Sequence, residues 1–347
     1  MVDLSNFDQN GVANPNANIF GLPFSEEDAG LIIFPVPWEV TVSYGAGTGR
    51  CFDSVFAASF QVDLFNKYYK DTWKNGFFMA DVDKKILMKS DYLRKEAELY
   101  VDFIGSGEDI STNNFMARSL KDINEGGIML NEWVYEHTRH YLNKNKLVGL
   151  LGGDHSTPLG YIKALSERHE SFGILQIDAH CDLRKAYEDF VYSHASIMYN
   201  VLNEIPQVKH ITQIGVRDYC KEEWDFVQEN SDKVTVFFDS DIKSRMYEGE
   251  IWKVIVDEVI ATLPEKIYIS FDIDGLDPKL CPNTGTPVQG GFESEQVVYL
   301  LHKVVESGRK IIGYDLVETG TGEANTDANV GARFLWHLSN ILTMSNI

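Results

Sequence analysis

Short apolar runs alternate with longer segments of helical periodicity along most of the chain. The apolar runs are rich in β-branched and aromatic residues, which predicts strands. The predicted strands are Leu31–Phe34, Leu147–Leu151, Phe172–Ile177, Ile211–Val216, Val234–Phe238, Ile267–Phe271 and Lys310–Leu316. Helical patterns recur at about 52–60, 92–103, 124–143, 158–169, 193–204, 221–230, 249–262, 293–307 and 329–343. This alternation predicts an α/β fold, in which a parallel sheet has helices on both faces.

The same pattern indicates how the chain is divided. Residues 1–30 are rich in Asn, Asp, Gly and Pro and predict an N-terminal arm. Residues 31–347 contain no Pro/Ser-rich linker and no internal repeat, which predicts one domain. Within that domain, the charged stretch at about 66–105 is predicted to be a surface insertion. The glycine-rich stretch Gly45–Gly49 lacks the spacing of a phosphate-binding loop and is predicted to be a plain loop.

Composition and charge narrow the class of protein. The formal net charge of −21 argues against nucleic acid as a partner, because phosphate contacts need clustered Lys and Arg. A cationic substrate fits this charge, although acidic surfaces mostly serve solubility. The chain has four widely spaced cysteines and no apolar run long enough to span a membrane. We therefore expect a soluble cytoplasmic protein with free thiols and no membrane partner.

Histidine and aspartate residues directly follow three of the predicted strands. The stretches concerned are Gly152–Ser156, Asp178–Asp182 and Asp272–Pro278. In open α/β sheets, ligands bind outside the carboxyl ends of the strands. The three stretches are therefore expected to meet at one edge of the sheet.

The spacing within these stretches predicts a metal centre. Extended chain has a side-chain period of two, so Asp178, His180 and Asp182 share one face, as do Asp272 and Asp274. Four carboxylates at one sheet edge would repel one another unless cations neutralised them. Two divalent cations would do so, with six ligands in all. The predicted ligands are His155, Asp178, His180, Asp182, Asp272 and Asp274.

Each of these motifs taken alone has a simpler explanation. A single D-x-D is usually a loop or a helix cap, and a single histidine at a strand end is more often part of the core. It is the three motifs together, each ending a predicted strand, that favour metal binding. Oxygen and nitrogen ligands without thiolate suit Mn²⁺ best, while Zn²⁺, Co²⁺, Ni²⁺ and Fe remain open. Cys181 falls on the face opposite the ligands, so a packing role is expected for it.

Three further residues are candidates for catalysis. His194 starts a predicted helix after a polar loop, and histidine titrates near neutrality, as a proton carrier should. Glu318 lies just past the last predicted strand, where it can bind a cation, although a solvated loop carboxylate is the alternative explanation. Asp154 is expected to orient the loop that carries His155. Two divalent ions would acidify water between them and make the centre hydrolytic.

The motifs at Gly152–Ser156, Asp178–Asp182 and Ser270–Pro278 resemble the three signatures of the ureohydrolases, the arginase–agmatinase–formiminoglutamase superfamily. The resemblance extends from about Pro35 to Arg333. It implies a single three-layer α/β/α domain with a mainly parallel sheet of about eight strands. It also implies a dinuclear centre, usually of Mn²⁺, which hydrolyses a guanidino group to urea and an amine. Homotrimers or homohexamers are common in this superfamily.

The resemblance also assigns roles to residues. It implies that one ion is held by His155, Asp178, Asp182 and Asp272, and the other by Asp178, His180, Asp272 and Asp274. Asp178 and Asp272 would then bridge the ions. His194 would shuttle a proton, and Glu318 would pair with the guanidinium group of a small cationic substrate.

The choice of substrate is less sharply indicated. Arg184 occupies a position at which arginases carry an Asn, whereas Ser193–Ala195 and Asn283–Pro287 resemble agmatinases. The Val317–Gly322 run departs from agmatinases, and Asn329–Arg333 is closer to formiminoglutamases and guanidine hydrolases. We rank an agmatinase-like activity first. Free guanidine, another ω-guanidino acid or amine, and formiminoglutamate stay open as substrates.

Two other classes of protein have to be weighed. Metal-dependent deacetylases share this fold and use one zinc ion held by an Asp-His-Asp set, so the additional ligands His155 and Asp274 argue against them. A non-catalytic homologue on a ureohydrolase scaffold would release no urea from any guanidino compound. The presence of all six ligands argues against that alternative.

Overall fold

Eight strands form one sheet in the computed structural model, which describes residues 2–347. All paired strands run parallel, in the order β2-β1-β3-β8-β7-β4-β5-β6. The strands are β1 (Leu31–Val36), β2 (Phe77–Met79), β3 (Leu147–Gly152), β4 (Phe172–Ile177), β5 (Val208–Ile214), β6 (Val234–Phe237), β7 (Lys266–Asp272) and β8 (Lys310–Val317). The predicted α/β class and parallel sheet are thereby confirmed.

Ten α-helices connect and cover these strands within residues 2–347. They are α1 (Cys51–Ser59), α2 (Lys84–Gly105), α3 (Asn114–Asn143), α4 (Leu159–Ser166), α5 (Ile197–Glu204), α6 (Lys221–Glu229), α7 (Asp239–Tyr247), α8 (Trp252–Thr262), α9 (Ser294–Glu306) and α10 (Thr326–Met344). Every residue of β1 and β4 is buried, as in a sheet covered on both faces. Between residues 2 and 347, no helix is both long and apolar enough to cross a membrane.

Two elements were absent from the sequence prediction. The strand β2 has only three residues and therefore gives almost no periodic signal. Helix α7 begins Asp239-Ser-Asp241 and has a weak apolar face, with only Asp239 and Ile242 buried. The seven predicted strands are all present, with ends that differ by a few residues.

The segment at about 66–105, expected to be a surface insertion, is built into the fold. It contains β2, which pairs with β1 at one edge of the sheet, and helix α2. Tyr69, Trp73 and Tyr100 are buried members of the main hydrophobic core. The N-terminal arm is irregular apart from a short 3-10 turn at Ile19–Gly21, whose residues are also buried. The division into residues 1–30 and 31–347 stays a prediction.

The sheet order brings the candidate residues together. Strands β3, β8, β7 and β4 are neighbours in the centre of the sheet. Because they are parallel, the loops at their carboxyl ends emerge at the same edge. Those loops carry His155, Glu318, Asp272 and Asp178 with their neighbours. The expected meeting of the three sequence motifs at one sheet edge is therefore found.

Candidate metal centre and substrate cavity

The first cluster surrounds the His155 ring, in the loop after β3. Its Nδ1 lies 3.0 Å from Asp178 Oδ2, 2.9 Å from Asp182 Oδ2 and 3.3 Å from Asp272 Oδ2. The opposite ring nitrogen, Nε2, lies 2.9 Å from Ser270 Oγ. One imidazole edge thus faces three carboxylates, and the other is held by a hydroxyl.

A short relay sets the orientation of the His155 ring. Ser270 Oγ donates to Asp315 Oδ1 at 3.2 Å, so its oxygen is left to accept a hydrogen bond from His155 Nε2. In the neutral ring, that arrangement leaves a lone pair on Nδ1, on the side of the three carboxylates. Hydrogen bonds of this kind behind a histidine ligand fix its tautomer and its direction.

The second cluster surrounds the His180 ring. Its Nδ1 lies 3.1 Å from Asp274 Oδ2 and 3.6 Å from Asp178 Oδ1. The two oxygens of Asp178 therefore face different histidines, Oδ2 towards His155 and Oδ1 towards His180. Asp178 belongs to both groups of potential ligands, within each of which the ligand atoms lie within 4.8 Å of one another.

Burial makes this arrangement of charges unfavourable without cations. Burial and the neighbouring Asp178 raise the pKa of Asp182 to about 7. Burial and Asp274 raise the pKa of Asp272 well above its ordinary value. Burial lowers the pKa of His155, but the surrounding carboxylates outweigh it and hold that pKa well above its ordinary value. Ionisation of all four carboxylates at once is thus disfavoured, and two imidazoles cannot balance four negative charges.

Two buried polar atoms in the clusters lack hydrogen-bond partners among the described residues. They are Asp274 Oδ2 and His155 Nδ1. Unpaired buried polar atoms are costly, and here both point into the clusters of potential ligands. Carboxylate oxygens and imidazole nitrogens are ligand types that divalent metal ions accept. The residues present thus fit a pair of such ions.

The carboxylates are held in place from behind. Gln176 Nε2 donates to Asp178 Oδ2 at 2.7 Å, and Gln213 Nε2 donates in turn to Gln176 Oε1 at 2.6 Å. The Ala179 amide donates to Asp274 Oδ1 at 3.0 Å. These hydrogen bonds fix the orientation of the two carboxylates. The oxygen lone pairs that the donors do not use are left for the clusters.

Glu318 reaches the cluster from the end of β8. Its backbone has a φ of 58°, a left-handed conformation that a non-glycine residue seldom adopts. Oε1 accepts the His155 amide at 3.0 Å, whereas Oε2 is buried without a hydrogen-bond partner among the described residues. Burial, followed by the charges of Asp154 and Asp274, raises the pKa of Glu318 well above its ordinary value. A cation beside Oε2 would stabilise the ionised form of Glu318.

His194 lies in a short 3-10 turn that precedes α5, at the start of the predicted helix. Thr41 Oγ1 accepts the His194 amide at 3.0 Å and lies 3.3 Å from His194 Nδ1. Ser43 Oγ lies 3.4 Å from Nε2. Burial, followed by the charges of His180 and His155, lowers the pKa of His194 to about 3. The ring is therefore neutral near pH 7, with one nitrogen that carries no proton.

Asp154 holds the loops rather than facing the clusters. Its Oδ1 accepts the Ser156 amide at 2.9 Å, and its Oδ2 is 3.4 Å from both the amide and the hydroxyl of Thr41. Asp154 thus links the His155 loop to the loop that contacts His194. Thr41 and Ser43 lie shortly before the stretch Gly45–Gly49, which was predicted to be a plain loop, and the sequence did not indicate a role for either residue. Nothing in the motif spacing indicates them.

A cavity of about 380 Å³ opens onto the clusters. Its lining is Ser43, Tyr44, His155, His180, Asp182, Arg184, Tyr187, His194, Ala195, Asp218, Glu223, Asp272, Thr286, Pro287, Val288 and Glu318. The Arg184 guanidinium lies 4.7 Å from the centre of the Tyr187 ring and 3.7 Å from Glu223 Oε2. The contribution of Tyr44, Asp218 and Glu223 to this wall was not foreseen from the sequence.

Comparisons with known proteins agree with this geometry. N(1)-aminopropylagmatine ureohydrolase of Thermus thermophilus is 27% identical over 312 residues, which cover 90% of this chain and 89% of the relative. Agmatinase of Bacillus subtilis is 28% identical over 187 residues, which cover 54% of this chain and 60% of the relative. Proclavaminate amidino hydrolase from Streptomyces clavuligerus has a similar fold, with a TM-score of 0.71 at 17% identity, over 97% of this chain and 100% of that chain.

A sequence model of the arginase family matches residues 29–339, which is most of the chain. The match includes every candidate ligand and the loop that contacts His194. The resemblance to the ureohydrolases is thereby confirmed. The chain belongs to the arginase family, whose members are metal-dependent hydrolases of guanidino C–N bonds.

Proposed function

We propose that this protein is a dinuclear-metal ureohydrolase that converts a small guanidino amine to urea and an amine, as an agmatinase does. One observation carries the proposal. Two histidine–carboxylate clusters share Asp178, and they lie beneath a cavity in which Glu318 has a buried oxygen without a hydrogen-bond partner among the described residues. The clusters suit two cations, and the free oxygen suits a third, the guanidinium of the substrate.

The two ions would be held by the ligands that the motifs predict. The first set is His155, Asp178, Asp182 and Asp272, and the second is Asp178, His180, Asp272 and Asp274. The contacts of His155 support the whole first set, and those of His180 support Asp178 and Asp274 in the second. The place of Asp272 in the second set follows from the resemblance. We propose Mn²⁺ as the metal, with Ni²⁺, Co²⁺ or Zn²⁺ as alternatives. When bound, such ions supply Lewis-acid chemistry and lower the pKa of water at the site.

The remaining steps belong to side chains of the cavity. Glu318 would pair with the guanidinium, because Oε2 is free to accept its N–H groups while Oε1 stays bonded to the His155 amide. His194 would carry a proton between the reacting group and solvent, since it lines the same cavity as His155 and His180 and an imidazole can both accept and donate a proton. Asp154 would act only by positioning the loops on which these residues depend.

The charges at the cavity wall favour a cationic substrate. Asp218 and Glu223 place two carboxylates in the lining. Arg184 supplies a guanidinium there, but Glu223 pairs with it and Tyr187 lies beneath it. An α-amino acid carboxylate would therefore find no unpaired cation in the described lining. A guanidino amine, as in the names of the relatives, suits this wall better than arginine does.

Family membership also supports two finer proposals. We propose that the protein forms a homotrimer or homohexamer and that it acts in the cytoplasm. Light scattering coupled to size-exclusion chromatography tests the assembly. A monomer at micromolar concentration would contradict it.

A product screen tests the proposed function. Protein loaded with Mn²⁺, Ni²⁺, Co²⁺ or Zn²⁺ is given agmatine, N(1)-aminopropylagmatine, arginine, guanidinobutyrate or free guanidine, and urea is measured. Formiminoglutamate is assayed separately, through formamide. We expect the highest kcat/KM with a guanidino amine and Mn²⁺. Absence of product from every compound would indicate a non-catalytic homologue, and amide hydrolysis with one zinc ion per chain would indicate a deacetylase.

A further inference from the structure

We infer that helix α2 is a positioning element of the active site, acting through Arg94 on the loop that orients His194. The loop concerned, here called the β1 loop, comprises residues 37–50 and joins β1 to α1. This inference goes beyond the proposed function but rests on it for the role of His194. It concerns a helix within the segment at 66–105, for which the sequence motifs indicated no function.

One face of α2 binds the start of the β1 loop. Ser90 Oγ accepts the Glu39 amide at 3.1 Å. Arg94, one helical turn later, donates from Nη1 to the Val42 carbonyl and, at 3.4 Å, to the Val40 carbonyl. Ser90 and Arg94 are four residues apart and therefore share a helix face. The Arg94 side chain is only 13% exposed, so these carbonyls have little access to competing water.

The two carbonyls that Arg94 binds belong to the residues on either side of Thr41. Thr41 in turn accepts the His194 amide and touches its ring at Nδ1. Because the Arg94 guanidinium is bonded to the carbonyls on both sides of Thr41, it restricts rotation of the backbone at Thr41. Arg94 thus controls where the Thr41 hydroxyl lies relative to His194.

The far end of the β1 loop is tied to the same turn of α2. Arg50 Nη2 donates to both oxygens of Asp91, at 2.8 and 2.6 Å. Within the loop, Glu39 Oε2 accepts the amides of Gly47 and Gly49 at 2.6 and 3.1 Å. The loop is therefore closed on itself and attached to α2 at both ends.

The tip of the loop lies at the cavity. Ser43 touches His194 Nε2, and both Ser43 and Tyr44 line the cavity wall. The Gly45 amide donates to the Gly285 carbonyl at 3.1 Å, which joins the tip to the opposite wall. Both nitrogens of the His194 ring thus contact hydroxyls of one loop, and that loop depends on α2. The residues proposed as metal ligands lie on other loops.

Amide hydrogen exchange tests the attachment without reference to activity. Arg94→Met keeps much of the aliphatic stem but removes every donor. In metal-loaded Arg94→Met, we expect exchange of peptides covering residues 37–50 to be at least about tenfold faster than in the wild type, because the loop loses its anchor. Metal content should be unchanged. Arg118→Met is the matched control. Arg94 pairs with Glu98 at 3.1 Å, and Arg118 makes a similar i,i+4 pair with Asp122 at 3.7 Å but is exposed. Unchanged exchange of the β1 loop in folded Arg94→Met would overturn the inference.

Kinetics test whether the attachment acts on His194. We expect kcat to fall about ten- to a hundredfold in Arg94→Met, because misplaced catalytic groups lose rates of this order, and Arg94→Lys to recover most of it. Thr41→Val should lower kcat similarly without faster loop exchange. If Arg94 acts through Thr41, the double variant loses no more than the worse single variant.

The outcomes separate this inference from the proposed function. Fully additive losses in the double variant, or unchanged kcat in Arg94→Met despite faster exchange, would overturn the role of Arg94 in orienting His194. If the wild type hydrolyses no guanidino compound, the proposed function fails. The exchange measurement still decides in that case whether α2 holds the β1 loop.

Discussion

Replacement of Glu318 by glutamine tests how the substrate is held. Glutamine has nearly the same shape, so its amide oxygen can still accept the His155 amide that Oε1 accepts now. The change removes the negative charge next to Oε2, the buried oxygen without a hydrogen-bond partner among the described residues. Glu318→Gln therefore isolates the attraction between this carboxylate and a guanidinium.

The expected loss can be worked out from the burial of that oxygen. Two unit charges about 4 Å apart interact by about 4 kcal/mol at an effective dielectric constant of about 20. Hydrogen bonds to a charged group are worth about 1.5–3 kcal/mol net of desolvation. A loss of about 3 kcal/mol corresponds to roughly a hundredfold decrease in kcat/KM.

The assay is urea release from agmatine by the Mn²⁺-loaded variant, with metal content measured on the same sample. Glu306→Gln, which removes an exposed carboxylate paired with Lys303, is the control and should behave as the wild type does. A Glu318→Gln enzyme with full metal content and a kcat/KM within about threefold of the wild type would refute the assignment of Glu318 to the guanidinium.

Two further predictions concern residues outside the ligand set. Burial lowers the pKa of His337 from 6.5 to about 4, so the unfolded chain binds its proton first as the pH falls. We therefore expect this histidine to lower the free energy of unfolding by about 3 kcal/mol as the pH falls from 6.5 to 4. Thermal unfolding of the wild type and of His337→Gln, compared across this pH range, measures the effect. Arg217 donates to the Gly215 carbonyl, just after β5, and to the carbonyls of Asp274 and Val288 in the connection between β7 and α9, the Asp274 carbonyl at 2.7 Å. Arg217→Lys should raise the dissociation constant of one ion about ten- to a hundredfold, whereas Arg309→Lys, whose arginine donates to carbonyls at the end of α8, should not. Equal metal titrations for both variants would contradict this reasoning.

The metal clusters could be predicted because their information is local. Asp178, His180 and Asp182 follow one strand with a spacing of two, which predicts a common face for extended chain. In the structure Asp182 has a left-handed φ of 54° and Asp274 lies in a 3-10 turn, so the local backbone departs from that geometry although the side chains still meet. The sheet rule then brings them to the same edge as Asp272 and Asp274. Only the general rule of parallel sheets was needed to connect the separate motifs. The sharing of Asp178 between the two histidines could be expected from the resemblance, not from spacing.

The loop contacts could not be predicted, because their partners are far apart in sequence. Thr41 meets Asp154 across 113 residues and His194 across 153. A threonine or serine in a glycine-rich loop has no periodic pattern that would indicate such a contact. The same applies to Arg94, whose helix was predicted while the carbonyls that it binds were not. The periodicity of side chains indicates individual helices and strands. Contacts between loops depend instead on how those helices and strands pack against one another.

If two ions share Asp178, the number of ions per chain must be two and must fall when Asp178 is removed. We expect Mn²⁺-reconstituted wild type to contain two ions per chain by mass spectrometry after gel filtration. Asp178→Ala should retain fewer than one ion and release no urea, because both clusters lose a ligand. Two tightly held ions in Asp178→Ala, or a single ion in the fully active wild type, would contradict the account.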